Sequence, residues 1–202
     1  MNKYQEFYLK DPSRIAETIA QEKHFREIYE ASLDCKLEKS GKGVEGLNIN
    51  FDKHGTFDYF SNCICTNSYF DVTGSKIKYF NDNIELWIAE WKVRSAKKLL
   101  AQKFNVYIIF FIKKCHQVDR ITKVDLVIKA VKIDNDFIKD IDCGKIQLDN
   151  KSISSKANSS EIEEKMYVVP KNHCNILSWD EFVEEQVEIK DFCLLPDNNC
   201  CN

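Results

Sequence analysis

Three ionisable residues, Asp71, Glu90 and Lys92, stand in or at the end of strongly apolar stretches of the sequence. Residues 84–93 have apolar side chains at alternate positions, and with a period of two Glu90 and Lys92 continue one apolar face. Ionised groups at the end of a buried face are costly unless they pair, bind a metal or border a water-filled cleft. We therefore expect residues 84–93 to form a central strand whose charged end borders a site of chemistry.

The segments around this strand predict how Asp71 is positioned. Residues 76–80 alternate well enough to form a strand, and 81–83 have the composition of a turn, so 76–93 is predicted to be a hairpin. Asp71 precedes the hairpin in a short apolar run. A bulge at Gly74 would bring its carboxylate to the charged end of the 84–93 strand.

Other start and stop signals predict the remaining elements. Asp11 and Pro12 are typical of a helix start, and Ser178 with Glu181 forms a capping box. Helices are predicted over 11–33, 95–103 and 134–144 and from Ser178 onward. Strands are predicted over 44–51, 105–112, 124–133 and 166–169, and a flexible polar loop over 149–160.

The chain of 202 residues is 44% hydrophobic and 12% aromatic, which suits one domain with a substantial core. No apolar run is long enough to cross a bilayer, and the N-terminus lacks the apolar region of a secretory signal. We therefore expect a cytoplasmic protein without membrane contact.

The nine cysteines have irregular spacing and an odd count, so we expect reduced thiols rather than a disulfide framework. Cys63 and Cys65, with His173-Cys174 or Cys200-Cys201, could contribute to a zinc site. None of these has the two-residue gap between cysteines that most zinc knuckles use, so buried or incidental thiols are the preferred interpretation.

Charge is unevenly distributed along the chain, although the net charge is only −3. Residues 92–132 contain eleven Lys and Arg against two Asp, whereas residues 133–202 contain seven Lys against fifteen Asp and Glu. A basic centre that begins beside Glu90 and Lys92 is compatible with a phosphate-lined partner. The same lysines are equally compatible with ordinary solvated surfaces.

A strand that ends in Glu-x-Lys, preceded by an acidic residue on a neighbouring strand, resembles the active site of the PD-(D/E)xK nucleases. The resemblance covers roughly residues 44–133. It implies an α/β fold with a restriction-endonuclease-like mixed β-sheet flanked by helices. It also implies that Asp71 and Glu90 hold Mg²⁺ and that Lys92 orients or polarises the attacking water. Hard divalent cations prefer such oxygen ligands, and they lower the pKa of bound water.

The tripeptide pattern is common, so its context matters. The pattern occurs five times, at Asp34/Lys36, Glu90/Lys92, Asp149/Lys151, Glu163/Lys165 and Glu188/Lys190. Only Glu90/Lys92 ends a strongly apolar predicted strand that has an acidic strand before it and a helix and a buried strand after it. The chain departs from the family at Phe70, where a proline often precedes the first acid. Asp58 is an alternative first metal ligand.

Within that family, the chain is most similar to a type II restriction endonuclease, because it has a comparable length and lacks a Walker-type phosphate loop. The resemblance implies a homodimer that cuts double-stranded DNA at a specific sequence. It also implies a single nuclease domain over 1–202, with 134–202 as an accessory or DNA-contacting part. Candidate phosphate contacts are Arg94, Lys97, Lys98 and Lys103, and candidate base contacts are the 149–160 loop, Asn172 and His173.

Three alternatives remain open. In the first alternative the chain is another nuclease of this fold, which acts in repair or defence without a fixed recognition sequence. In the second it is a DNA-binding or interaction protein without catalysis. In the third alternative Glu90 pairs with Lys92 or Arg94 at a strand end and has only a structural role.

Overall fold

The computed structural model describes residues 12–40, 57–63, 66–80, 84–118, 121–155 and 160–194. Within these ranges the chain forms four helices and nine strands. The helices are α1 (Pro12–Leu33), α2 (Glu90–Leu100), α3 (Asn135–Asp142) and α4 (Trp179–Leu194). The strands are β1 (Leu37–Lys39), β2 (Tyr59–Cys63), β3 (Thr66–Phe80), β4 (Leu86–Ala89), β5 (Asn105–Val118), β6 (Ile121–Ile133), β7 (Gln147–Ser155), β8 (Ser160–Val169) and β9 (Ile176–Ser178).

The strands form two sheets. The larger has the order β1-β2-β3-β5-β6-β9, and the smaller has the order β4-β8-β7. β3 and β5 run parallel, and the other described pairs are antiparallel. The protein is therefore a mixed α/β structure with a mostly antiparallel sheet flanked by helices, which confirms the predicted class at this level.

Both faces of the larger sheet are covered. On one face, Phe70 and Tyr107 pack against Phe25 of α1 and Phe182 of α4. On the other face, side chains of β5 such as Ile108 join a second core with α2, α3 and the smaller sheet. Burial on both faces explains why β5 carries a continuous β-branched and aromatic run.

The capping box predicted at the start of α4 is confirmed. The Glu181 carboxylate accepts a hydrogen bond from the backbone N–H of Ser178 at 2.7 Å. The backbone N–H of Glu181 donates to the Ser178 hydroxyl at 3.3 Å. These two bonds satisfy donors that a helix start leaves unpaired.

Removing this cap gives a first stability prediction. Ser178→Ala should lower the free energy of unfolding by about 0.5–2 kcal/mol, because one N-terminal N–H of α4 loses its acceptor. Urea denaturation followed by circular dichroism measures the change. A variant as stable as the wild type would contradict the stabilising role of the cap.

The predicted hairpin over 76–93 is wrong. β3 pairs with β2 on one side and with β5 on the other, whereas β4 pairs with β8 in the smaller sheet. β3 lies inside the larger sheet, so both of its edges are already paired. The apolar run of β4 is buried because α2 and the smaller sheet cover the same face of the larger sheet.

The predicted strand over 84–93 is also corrected, because it ends at Ala89 and a helix begins at Glu90. Val93 and Ala96 are buried at helical spacing. Glu90 lies in the first turn of α2, where its negative charge interacts favourably with the positive end of the helix dipole. The helix predicted over 95–103 therefore starts five residues earlier, and it ends at Leu100.

Two further predictions need correction. The polar stretch over 149–160 is not a loop in its described part, since β7 and β8 pair antiparallel, from Gln147 with Val168 to Ser155 with Ser160. Cys35 is disulfide-bonded, which contradicts the prediction that all the cysteines are thiols, whereas Cys115, Cys143 and Cys174 are free. The strand predicted over 44–51 lies outside the described residues.

In the part of the chain that the structure describes, no helix combines the length and apolar character needed to span a bilayer.

Candidate functional site

Two carboxylates oppose each other where β2 begins. Tyr59 at the start of β2 pairs with Phe70 of β3, so continuing this antiparallel register by one residue would set Asp58, which directly precedes β2, opposite Asp71. Directly opposed side chains in such a pair have Cβ atoms about 4.5–5.5 Å apart, and like charges there destabilise the sheet. Two carboxylates this close are stable only if a positive charge lies beside them or one of them is protonated.

Lys92 supplies the positive charge. It lies in the first turn of α2, and its ammonium donates to the Asp71 carboxylate in an ion pair. The side chains of Asp71 and Lys92 are only 7% and 15% exposed, so solvent screens this pair weakly. Asp71 lies beside Ile108 of β5, on the sheet face that α2 covers. Packing of α2 on that face thus brings Lys92 to Asp71.

The Lys92 ammonium also lies 5.4 Å from the centre of the Trp91 ring. The Trp91 indole N–H donates to Glu164 of β8 at 2.9 Å. These contacts link the first turn of α2 to the smaller sheet. Sequence reasoning missed Glu164, because no local pattern relates β8 to residues more than seventy positions earlier.

The Asp58 carboxylate is fixed by the backbone of the opposite strand, because it accepts a hydrogen bond from the N–H of Val72 at 2.7 Å. Asp58 keeps partial solvent exposure, whereas Asp71 is buried. The Asp58 carboxylate is therefore tied to the backbone of β3, the strand that carries Asp71.

Burial raises the pKa of both carboxyl groups. The pKa of Asp58 is raised well above its usual value by desolvation and then by the charges of Asp71 and Glu22, against the opposing effect of Lys92. Desolvation likewise raises the pKa of Asp71, although Lys92 lowers it through its charge and its hydrogen bond. The single ammonium thus compensates the two acids only in part.

This imbalance predicts that Asp58→Asn stabilises the protein near neutral pH. A raised folded-state pKa means that stability is lost as the pH rises from the unfolded value of about 4 through the folded value. The neutral amide of Asn does not ionise, so the variant does not lose stability as the pH rises. It also removes the repulsion between the two carboxylates, which is worth about 0.2–1 kcal/mol.

Thermal unfolding between pH 4 and pH 9 measures this effect. The variant should gain most over the wild type at high pH and little at pH 4. Asp136→Asn, at an exposed ion pair on α3, is the matched control. A variant less stable than the wild type at high pH would contradict the account.

Glu90 does not join this group. A helix turns by about 100° per residue, so Glu90 and Lys92 project from α2 in directions about 160° apart rather than from one strand face. The Glu90 carboxylate pairs with Arg94 at 3.0 Å. Of the three residues predicted to act together, the structure unites Asp71 and Lys92, with Asp58 as the second acid beside them.

The cations predicted to contact phosphate lie on or just after α2. Arg94 pairs with Glu90, and Lys97 pairs with Asp142 at 3.7 Å. Lys98 and Lys103 are exposed. Arg94, Lys97 and Lys98 share with Lys92 the helix that reaches the acid pair.

The predicted base-contacting residue His173 is engaged within the protein. Its Nε2 atom lies 3.1 Å from the Asp140 carboxylate, and its side chain is 6% exposed. Its Nδ1 atom accepts a hydrogen bond from the backbone N–H of Asn175 at 3.2 Å. These contacts anchor the segment between β8 and β9.

Asp58 and Asp71 have the chemistry to hold a hard divalent cation, since Mg²⁺ is commonly bound by one or two carboxylates together with waters and phosphate oxygens. Among the described residues, no group of three or more His, Cys, Asp and Glu side chains is suited to hold a metal. Cys65, Cys200 and Cys201, considered for zinc, lie outside the described residues. The site is thus an acid pair with a lysine.

Comparison with known proteins finds no matching family model, no similar curated protein and no similar solved structure.

Proposed function

We propose that this chain is a Mg²⁺-dependent endonuclease that hydrolyses phosphodiester bonds in double-stranded DNA. In this proposal Asp58 and Asp71 are the metal ligands, and Lys92 assists the attacking water. The observation that carries it is the proximity of two carboxylates, Asp58 directly before β2 and Asp71 on β3, with the Lys92 ammonium in an ion pair with Asp71.

The acid pair suits a divalent cation in two respects. It provides the one or two carboxylates that Mg²⁺ takes from proteins. Lys92 lowers the pKa of both carboxyls but desolvation still raises both, so the positive charge of a dication would stabilise the ionised pair. When bound, Mg²⁺ would supply a water of lowered pKa and would neutralise charge on the phosphate.

The protein's own residues would contribute position and charge. Val72 holds the Asp58 carboxylate through a backbone N–H, and Lys92 is held at Asp71 by the ion pair. A preorganised cation beside the reacting phosphate stabilises negative charge as it develops, without reorganising at that moment. Removal of such a group is expected to affect the chemical step more than DNA binding.

DNA as the substrate is supported by the basic excess over 92–132 and by the cations of α2. Phosphate contacts from Lys and Arg supply most of the affinity of DNA-binding proteins. We also propose that the mixed sheet has the restriction-endonuclease-like fold, that cleavage is sequence-specific and that the protein acts as a homodimer. Cytoplasmic location also stays a prediction.

Incubation of supercoiled plasmid and phage DNA with the purified protein and Mg²⁺ tests this proposal, with EDTA as the control. Discrete fragments that appear only with Mg²⁺ are the expected result, and they support sequence-specific cleavage. A smear would support a nuclease without a fixed site. Intact DNA with a mobility shift would contradict hydrolysis and would leave a DNA-binding protein.

A further inference from the structure

Within the described residues, one long strand has an edge that is paired over only part of its length. β6 pairs with β5 along its whole length, but with β9 only at Lys129–Val131. Among the described strands, none pairs with the other edge of residues 121–128. Such an edge presents backbone N–H and C=O groups that another strand can bind.

The direction of these backbone groups follows from a hydrogen bond farther along β6. The N–H of Lys132 donates to the carbonyl of Asn175 at 2.9 Å, on the side away from β5. The β5–β6 register keeps a constant offset, and in an antiparallel strand every second residue directs its backbone groups to the same side. Thr122, Val124 and Leu126 therefore direct their N–H and C=O groups to the open edge.

The side chains near this edge are unusually apolar for an exposed strand. Ile121, Val124 and Leu126 are 64%, 45% and 51% exposed, and they are three of the five exposed large hydrophobic residues in the described ranges. This edge is exposed and apolar, and its backbone N–H and C=O groups point outward, so it favours pairing with another strand.

We propose that this edge is the interface with a second copy of the chain, formed by antiparallel pairing of β6 with its counterpart about a two-fold axis at Val124. The two sheets would then continue as one. A two-fold interface requires a surface that complements itself, and this edge meets that requirement in both hydrogen bonding and charge.

Charge selects the register. With Val124 on the axis, Lys123 of each copy lies opposite Asp125 of the other, which forms two symmetric pairs of opposite charge. A shift of the axis to residue 123 or 125 would set Lys123 against Lys123, or Asp125 against Asp125, and like charges directly opposite are destabilising. The favoured pairs are also of the non-hydrogen-bonded kind, in which side chains approach most closely.

Charge reversal followed by sedimentation equilibrium tests the proposal. The wild type should be a dimer, and Lys123→Asp or Asp125→Lys should each raise the dimer dissociation constant by at least about tenfold. The double variant with both changes restores the opposite pairing and should recover the wild-type constant. Lys36→Asp, at an exposed position after α1, is the matched control and should leave the constant unchanged.

Val124→Pro provides a second, independent test. It removes an N–H that points to the open edge while leaving the β5–β6 ladder paired, so a folded monomer is expected. A wild-type chain that stays monomeric, or a dimer insensitive to both Lys123→Asp and Val124→Pro, would overturn the proposal. This inference deepens the homodimer of the proposed function by naming its interface. Its readout is the oligomeric state, whereas DNA cleavage tests the nuclease activity, so the two can fail separately.

Discussion

Lys92→Met should destabilise the protein by about 3–5 kcal/mol at neutral pH, the usual cost of removing one partner of a buried ion pair. Methionine nearly matches the length of lysine but removes the ammonium that pairs with the Asp71 carboxylate, whose side chain is only 7% exposed. The pKa of both acids should rise further, because Lys92 lowers each of them in the wild type. The cost should therefore shrink as the pH falls and the carboxyls bind protons.

Urea unfolding at pH 5 and pH 8 measures this effect. Lys139→Met, at an exposed pair with Asp136, is the matched control and should change stability by less than about 0.5 kcal/mol. A Lys92→Met protein as stable as the wild type at pH 8 would show that the ion pair does not compensate the acid pair.

Asp71→Asn should lower the rate of DNA cleavage by about 10²–10³-fold. The amide keeps the shape of the side chain but loses the negative charge that holds Lys92 and would bind the metal. DNA affinity should change little, because the cations on and after α2 remain.

Single-turnover cleavage and filter binding separate these two effects. Asp136→Asn, on the surface of α3, should cleave at the wild-type rate. Equal losses of cleavage and binding would contradict a role confined to the chemical step, and an unchanged cleavage rate would exclude Asp71 from the site.

Local signals in the sequence predicted several elements of the fold. The helix α1 over Pro12–Leu33, the capping box of Ser178 and Glu181, and the buried strand β5 each depend on residues near in sequence. The partners of β3 and β4 depend instead on contacts with distant segments. β8, which pairs with β4, begins more than seventy residues later, and nothing within 76–93 distinguishes that pairing from a hairpin.

The site was predictable in part. Asp71 and Lys92 meet as expected, but through a helix rather than a strand, because Trp91 and Val93 fit both an apolar strand and a helix start. Asp58 was only an alternative ligand, because nothing in the sequence around it predicts the register that pairs Tyr59 of β2 with Phe70 of β3. That register brings Asp58 next to Asp71.

The most direct test of the site is the dependence of DNA cleavage on Mg²⁺ for the wild type, Asp58→Asn, Asp71→Asn and Glu90→Gln. The account predicts that both aspartate variants lose cleavage by about 10²–10³-fold, whereas Glu90→Gln keeps a rate within about threefold of the wild type. Loss of cleavage in Glu90→Gln with retention in Asp58→Asn would contradict the account, since Glu90 rather than Asp58 would then be the second acid.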